Sequence, residues 1–144
     1  MFGKMFGKKA TAARAEFKKL ENRDLMEAII GGSLLIVFAD GEAEDAELKK
    51  LDGLVRSNKS LEHFGVELTD TINRFTQRLQ SGYRVARNDI LREIEQCKGN
   101  RQESEDILLN MIEIAFADGE CEPQEQKELE TVAERLGLRL SDYV

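Results

Sequence analysis

Apolar residues recur at helical spacing along most of the chain, and no useful length of it alternates with the two-residue period of a strand. Glycines at positions 41, 99 and 137 follow predicted helices, where C-terminal caps and turns belong. The chain is therefore expected to be all-α. The pattern predicts helices over 23–40, 44–56, 67–80, 83–97, 104–118 and 122–136, with a loop or short helical turn at 60–65.

The first of these helices is strongly apolar, with Leu25, Ile29, Leu34 and Phe38 as core candidates. Its longest apolar run covers residues 29–39, well short of the roughly 20 residues needed to span a bilayer, so it is expected to be a buried helix. The pair Gly31-Gly32 lies inside this run and weakens helix propensity. The pair predicts close approach by another helix or a local kink.

A ten-residue stretch occurs twice. FADGEAEDAE at 38–47 returns 78 positions later as FADGECEPQE at 116–125, and each copy joins two predicted helices. A single helical hairpin rarely buries its apolar face alone, so two related hairpins packed together are expected. At 144 residues the chain is long enough for one core. We predict one helical domain over 21–144 with an internal pseudo-two-fold repeat, preceded by a basic segment at 1–20.

Four glutamates of the two copies have local structural explanations. Glu44 and Glu122 stand at the predicted N-caps of the second helix of each hairpin. Glu47 and Glu125 follow three residues later, where a side chain can reach back to the cap amide. Carboxylates in a first helical turn also interact favourably with the helix dipole.

Asp40 and Asp118 are harder to explain locally, because each lies at the end of a helix, where the dipole disfavours an anion. An Asx-type turn is one explanation, and a shared cation is the other. If a cation is shared, the two copies of the stretch lie on one face of the domain, with Asp40 and Asp118 at the centre of the site. The candidate metal ligands are Asp40, Glu42, Glu44, Glu47, Asp118, Glu120, Glu122 and Glu125.

Oxygen ligands of this kind favour Ca²⁺, Mg²⁺ or Mn²⁺ over zinc or copper. The spacing does not match an EF-hand. That loop needs glycine at its sixth position, where this chain has Asp45 and Pro123, and glutamate at its twelfth, where it has Leu51 and Leu129.

The net charge of −7 is unevenly distributed: +5 over 1–20, −7 over 21–73, +4 over 74–101 and −9 over 102–144. Two acidic blocks would repel phosphates, so we expect no nucleic-acid binding. In residues 1–20, lysines and arginine alternate with Met and Phe, which suits an anionic membrane surface. A solvated terminus is the alternative.

The sequence does not indicate an enzyme. It contains no nucleophile elbow, phosphate-binding glycine loop or zinc-ligand spacing. Its one histidine, His63, lies in a predicted loop, and Cys97 and Cys121 have the character of reduced thiols.

The doubled FADGE connector in an all-helical chain of this size resembles the TerB family of bacterial tellurite-resistance proteins. The wider group includes the helical N-terminal domain of a membrane-anchored DnaJ-like co-chaperone. The likeness covers about 24–136 and extends to the MFGK start. It implies a bundle of about seven helices and a role in resistance to tellurite and other chemical or phage stress. It also implies a cation site at Asp40, Glu42, Glu47, Asp118, Glu120 and Glu125.

The resemblance further implies a cytoplasmic location, at the inner face of the membrane in some members. Expected partners are a TerC-type membrane protein and TerD-type calcium-binding proteins. Two functions follow: a binding module that recruits stress-response partners near the membrane, and a cation-binding protein. The alternative to a metal is that the acids are helix caps and a docking surface for a basic partner.

Overall fold

A computed structural model describes residues 23–41 and 43–144. This part of the chain forms six α-helices and no strand, which confirms the all-α prediction, with one helix fewer than the seven that the resemblance implies. Three short 3₁₀ turns lie at Glu62–Phe64, Cys97–Gly99 and Leu140–Asp142. The α-helices are α1 (23–37), α2 (Asp45–Ser57), α3 (Val66–Ser81), α4 (Tyr83–Gln96), α5 (Arg101–Ala115) and α6 (Pro123–Leu136).

Helix α1 lies at the centre of the core, and every residue from 28 to 37 is buried. Its two glycines let neighbouring helices approach closely. A Cβ added at Gly31 would lie 2.8 Å from Ile90 Cγ2 of α4, and one added at Gly32 would lie 2.8 Å from Met111 Sδ of α5. The close approach predicted from the glycine pair is confirmed.

The first helix of each hairpin ends in the same way, slightly earlier than predicted. Residues 38–40 form a turn in which the Gly41 amide donates to the Phe38 carbonyl at 3.0 Å. The Gly119 amide donates to the Phe116 carbonyl at the same distance. Both glycines have positive φ, +85° and +96°, which a residue with a side chain adopts only with strain. Each glycine therefore closes the turn that follows its helix, directly after Asp40 in the first hairpin and Asp118 in the second.

Helix α5 begins at Arg101, three residues before its predicted start. The reason is a side-chain cap that periodicity does not reveal: the Asn100 Oδ1 atom accepts a hydrogen bond from the Glu103 amide at 3.1 Å. Ser104, the predicted first residue, is instead buried, and its hydroxyl donates to the Cys97 carbonyl at 3.0 Å.

The two halves of the repeat are not equally enclosed. Phe38 is 9% exposed and belongs to the core, whereas Phe116 at the equivalent position is 43% exposed. Because both copies of the repeat carry this phenylalanine, the sequence predicts that both rings are buried; the prediction is right for Phe38 and wrong for Phe116. The difference follows from position, because α1 has neighbours on all sides and α5 keeps an open outer face.

Two sequence-based predictions fall outside this description. The basic segment 1–20 and the candidate ligand Glu42 lie outside the described residues. Among the residues that are described, no helix is both long enough and apolar enough to cross a bilayer.

Candidate acidic site between the two connectors

Connector 1 (residues 38–44) leads into α2, and connector 2 (residues 116–122) leads into α6. Connector 2 ends in the predicted capping box. The Glu122 amide donates to Glu125 Oε1 at 2.9 Å, and the Glu122 side chain accepts from the Glu125 backbone. Pro123 is the first residue of α6, where its missing N–H leaves no helical bond unmade. The local explanation for these two glutamates is therefore confirmed.

Connector 1 ends differently although its sequence is similar. Glu44 is the N-cap of α2, as predicted, but its side chain makes no cap hydrogen bond. Glu47 turns inward, is 6% exposed, and its Oε2 atom is buried without a hydrogen-bond partner. A buried carboxylate oxygen with no donor is costly, so this atom marks a place where a proton or a ligand belongs.

The inward turn brings the first turns of α2 and α6 together through Glu47 and Glu125. Each is 6% exposed, and their side chains share a hydrogen bond. Burial, followed by the charges of Glu125, Glu44 and Asp40, raises the pKa of Glu47 to about 8. Burial also raises the pKa of Glu125, against the opposing effects of the Glu122 backbone hydrogen bond and the bond from Glu47. With the pKa of Glu47 at about 8, the pair shares one proton near neutral pH.

The predicted convergence of the connectors is present, but with different residues at its centre. Asp40 and Asp118 are both exposed and act on the buried pair through their charge. Asp118 also forms the Asx-type turn proposed as its local role, because its Oδ1 accepts from the Glu120 amide at 3.3 Å. The aspartates thus form the rim of the acidic site, and the glutamates form its floor.

The remaining candidate ligands Glu44, Glu120 and Glu122 are exposed. Among the residues described, no three Asp, Glu, His or Cys side chains are placed to hold a metal ion together. The buried pair supplies two carboxylates, and any further ligand must come from water or from movement of the rim.

Next to the pair lies an ion pair that sequence reasoning missed. Arg87 of α4 contacts both carboxylate oxygens of Glu128, with its closest nitrogen at 2.6 Å, and joins α4 to α6. Glu128 is one turn beyond Glu125 and is 8% exposed. The sequence did contain a signal for this ion pair: Glu128 directly precedes the core residue Leu129, and a glutamate near the core needs a cationic partner.

The thiols and the histidine are poorly suited to catalysis. Burial raises the pKa of Cys97 to about 11, and burial together with nearby carboxylates raises the pKa of Cys121. Both thiols therefore stay protonated at neutral pH, which disfavours nucleophilic and redox chemistry. His63 is exposed, and its ring lies tilted by 36° against that of Phe64, with 4.2 Å between the ring centroids.

Comparison with protein families identifies the chain. The family model described as "Tellurite resistance protein TerB" matches residues 26–144, a range that contains both connectors and the Glu47–Glu125 pair. The chain belongs to the TerB family. Membership carries a role in tellurite resistance and agrees with the all-helical fold. Neither a curated protein nor a solved structure matches the chain.

Proposed function

We propose that this TerB-family chain is a non-enzymatic binding module of tellurite and chemical-stress resistance, in which the buried Glu47–Glu125 pair takes a divalent cation. The supporting observation is that two carboxylates from separate hairpins meet in the core, and that one of their oxygens, Glu47 Oε2, has no partner. A cation bound to both glutamates would link α2 to α6, so that cation binding would stabilise the packing of the two hairpins.

The chemistry of the pair favours Mg²⁺ among the three candidate ions. Mg²⁺ keeps several water molecules and is commonly bound through one or two carboxylates, whereas Ca²⁺ takes 6–8 oxygen ligands. Glu47 and Glu125 would supply two oxygens, and Asp40 and Asp118 would add negative potential at the rim. With so few protein ligands, binding is expected to be weak.

The cation would compete with the proton that the pair holds. Ligating carboxylates must be ionised, so binding releases a proton and strengthens as the pH rises. The pKa of about 8 at Glu47 places this competition near neutral pH. A protonated pair and a cation-bound pair are then two states of one site, with different charge presented at the rim.

The second candidate function needs no metal. Asp118 and the Glu122–Glu125 capping box already have structural roles, so connector 2 is explained without a cation. In this reading the exposed acids form a docking surface for a basic protein partner. TerC-type membrane proteins and TerD-type calcium-binding proteins are the proposed partners in either case, and residues 1–20 are proposed to approach anionic lipid.

Cation titration tests the metal proposal. Adding Mg²⁺ to protein freed of metal should raise its melting temperature, because an ion that binds only the folded state stabilises it. Glu47→Gln should remove the response by taking away one of the two buried ligands. Glu44→Gln is the matched control: it removes an exposed charge that acts on Glu47 but no buried ligand, so it should weaken the response without removing it. Asp40→Asn together with Asp118→Asn should only weaken the response.

The measurement is thermal unfolding at pH 8 with 0 to 10 mM Mg²⁺, repeated with Ca²⁺ and Mn²⁺. This concentration range detects a weak site with a dissociation constant of roughly millimolar size. An equal rise in melting temperature for parent and Glu47→Gln would assign the effect to ionic strength and contradict the metal proposal. No rise in any variant would leave the caps and the docking surface as the function of these acids.

The membrane proposal makes a separate prediction. Each basic residue near an anionic surface contributes roughly 1 kcal/mol, so the six in residues 1–20 should retain the protein on phosphatidylglycerol vesicles at low salt. High salt should release it. Pelleting of the full chain and of a variant lacking 1–20 is the comparison, and equal pelleting would refute a membrane role for this segment.

A further inference from the structure

The outer face of α5 carries two apolar side chains that nothing in the described structure covers. Leu109 is 42% exposed and Phe116 is 43% exposed. They are seven residues apart, which places them on one side of the helix axis at a separation of ~10 Å. At the equivalent positions of the first hairpin, Gly31 and Phe38 are both buried. The repeat therefore shows the same face closed in one copy and open in the other.

Negative charge surrounds this open face. Asp106 and Glu113 lie on α5 itself, and Asp118 and Glu120 lie in connector 2 just beyond it. None of these four carboxylates takes part in an ion pair within 23–41 and 43–144. A segment that covers the face should therefore be apolar on one side and basic around it.

The chain enters the described structure beside the start of this face. Asp24, at the beginning of α1, lines a cleft together with Asn100 and Glu103 at the beginning of α5. The acidic ends of α1 and α5 also lie together, since the charges of Asp40 after α1 and Asp118 after α5 both act on Glu125. The two helices therefore run side by side in the same direction, and α1 begins next to the first turn of α5.

Those residues have the required chemistry. Segment 1–20 carries six basic side chains and one acid, with Phe17 and Leu20 nearest to α1. Phe17 precedes Arg23 by six residues and can reach up to ~20 Å from it. Leu109 is eight residues into α5 and lies ~12 Å from the start of that helix. The segment is long enough to reach the face without strain.

We propose that residues 1–20 dock on the outer face of α5 in the same molecule, with Phe17 against Leu109 and the basic side chains against the surrounding carboxylates. Docking covers the apolar side chains and neutralises acids next to connector 2. It makes the segment an internal competitor of any basic partner for this face. The inference is independent of cation binding at Glu47 and Glu125.

Amide spectra of the full-length protein without lipid test the docking in both directions. Phe17→Ser should shift amide resonances within 105–120, and Leu109→Ser should shift resonances within 10–20. The matched control is Val66→Ser, an apolar residue of α3 that is 72% exposed, which should leave residues 10–20 unchanged. The losses in free energy of unfolding caused by Phe17→Ser and Leu109→Ser should not add up in the double variant, because both substitutions break the same contact. The losses caused by Phe17→Ser and Val66→Ser should add up in theirs.

Additive losses for Phe17→Ser and Leu109→Ser, with no reciprocal shifts, would overturn the proposal. Shifts that disappear on dilution would assign the contact to a second copy of the chain and would also overturn intramolecular docking. Shifts that persist on dilution and weaken as salt is added are the expected result, because the contact is intramolecular and partly electrostatic. Loss of the Mg²⁺ response in the parent would not affect this outcome.

Discussion

Phe38→Ala should lower the free energy of unfolding by about 3–5 kcal/mol, as truncation of a buried aromatic ring does. Its side chain is 9% exposed and packs in the core where α1 ends. The repeat supplies the control. Phe116→Ala makes the same chemical change at the equivalent position, but the ring is 43% exposed and its loss should cost less than about 1.5 kcal/mol.

Urea-induced unfolding of the two variants and the parent would measure the difference. Because the slope of the transition reports the surface exposed on unfolding, it should be similar for all three proteins if each one folds to the same structure. Equal losses at the two positions would contradict the asymmetry between the hairpins that the structure shows.

Glu47→Gln should make the protein more stable than the parent at pH 9 and should change its stability little at pH 5. In the folded protein Glu47 keeps its proton up to a pKa of about 8, against an ordinary value of 4.5. The unfolded chain therefore loses this proton first, and the stability of the parent falls as the pH rises from about 4.5 to about 8. Glutamine has no proton to lose, and its amide can donate to Glu125 as the protonated acid does.

The expected gain at pH 9 is of the order of a few kcal/mol, reduced by whatever water reaches the pair. Denaturant unfolding at pH 5, 7 and 9 in the presence of a chelator would measure it. Glu44→Gln removes an exposed acid from the same connector but keeps Glu47, so its stability should fall with rising pH much as the parent's does. A pH profile for Glu47→Gln that parallels the parent's would mean that Glu47 does not hold the shared proton.

Local patterns were sufficient to predict most of the secondary structure and the repeat. Helical spacing of apolar residues located the six helices of the described residues, Pro123 marked the start of α6, and Gly41 marked the turn that follows α1. Such features depend on residues within one or two turns of each other. The Asn100 cap, which starts α5 three residues early, is the local signal that was overlooked.

The site itself depended on contacts that no local pattern contains. Sequence symmetry makes Phe38 and Phe116 equivalent, but the packing of α4 and α5 against α1 encloses only the first hairpin's helix. In the same way, Glu47 and Glu125 occupy equal positions, and only Glu125 closes a capping box. The free carboxylate of Glu47 then meets its counterpart from the other hairpin, which spacing along the chain could not reveal.

The burial of α1 has a consequence for the timescale on which the two connectors move. Amides of a helix enclosed on all sides exchange with solvent only when the whole domain opens, whereas those of a helix with an open face also exchange through local opening. Connector 1 is attached to the enclosed α1, and connector 2 to the open α5. A cation bound as proposed at Glu47 and Glu125 would therefore join a hairpin whose first helix opens only with the whole domain to one whose first helix also opens locally.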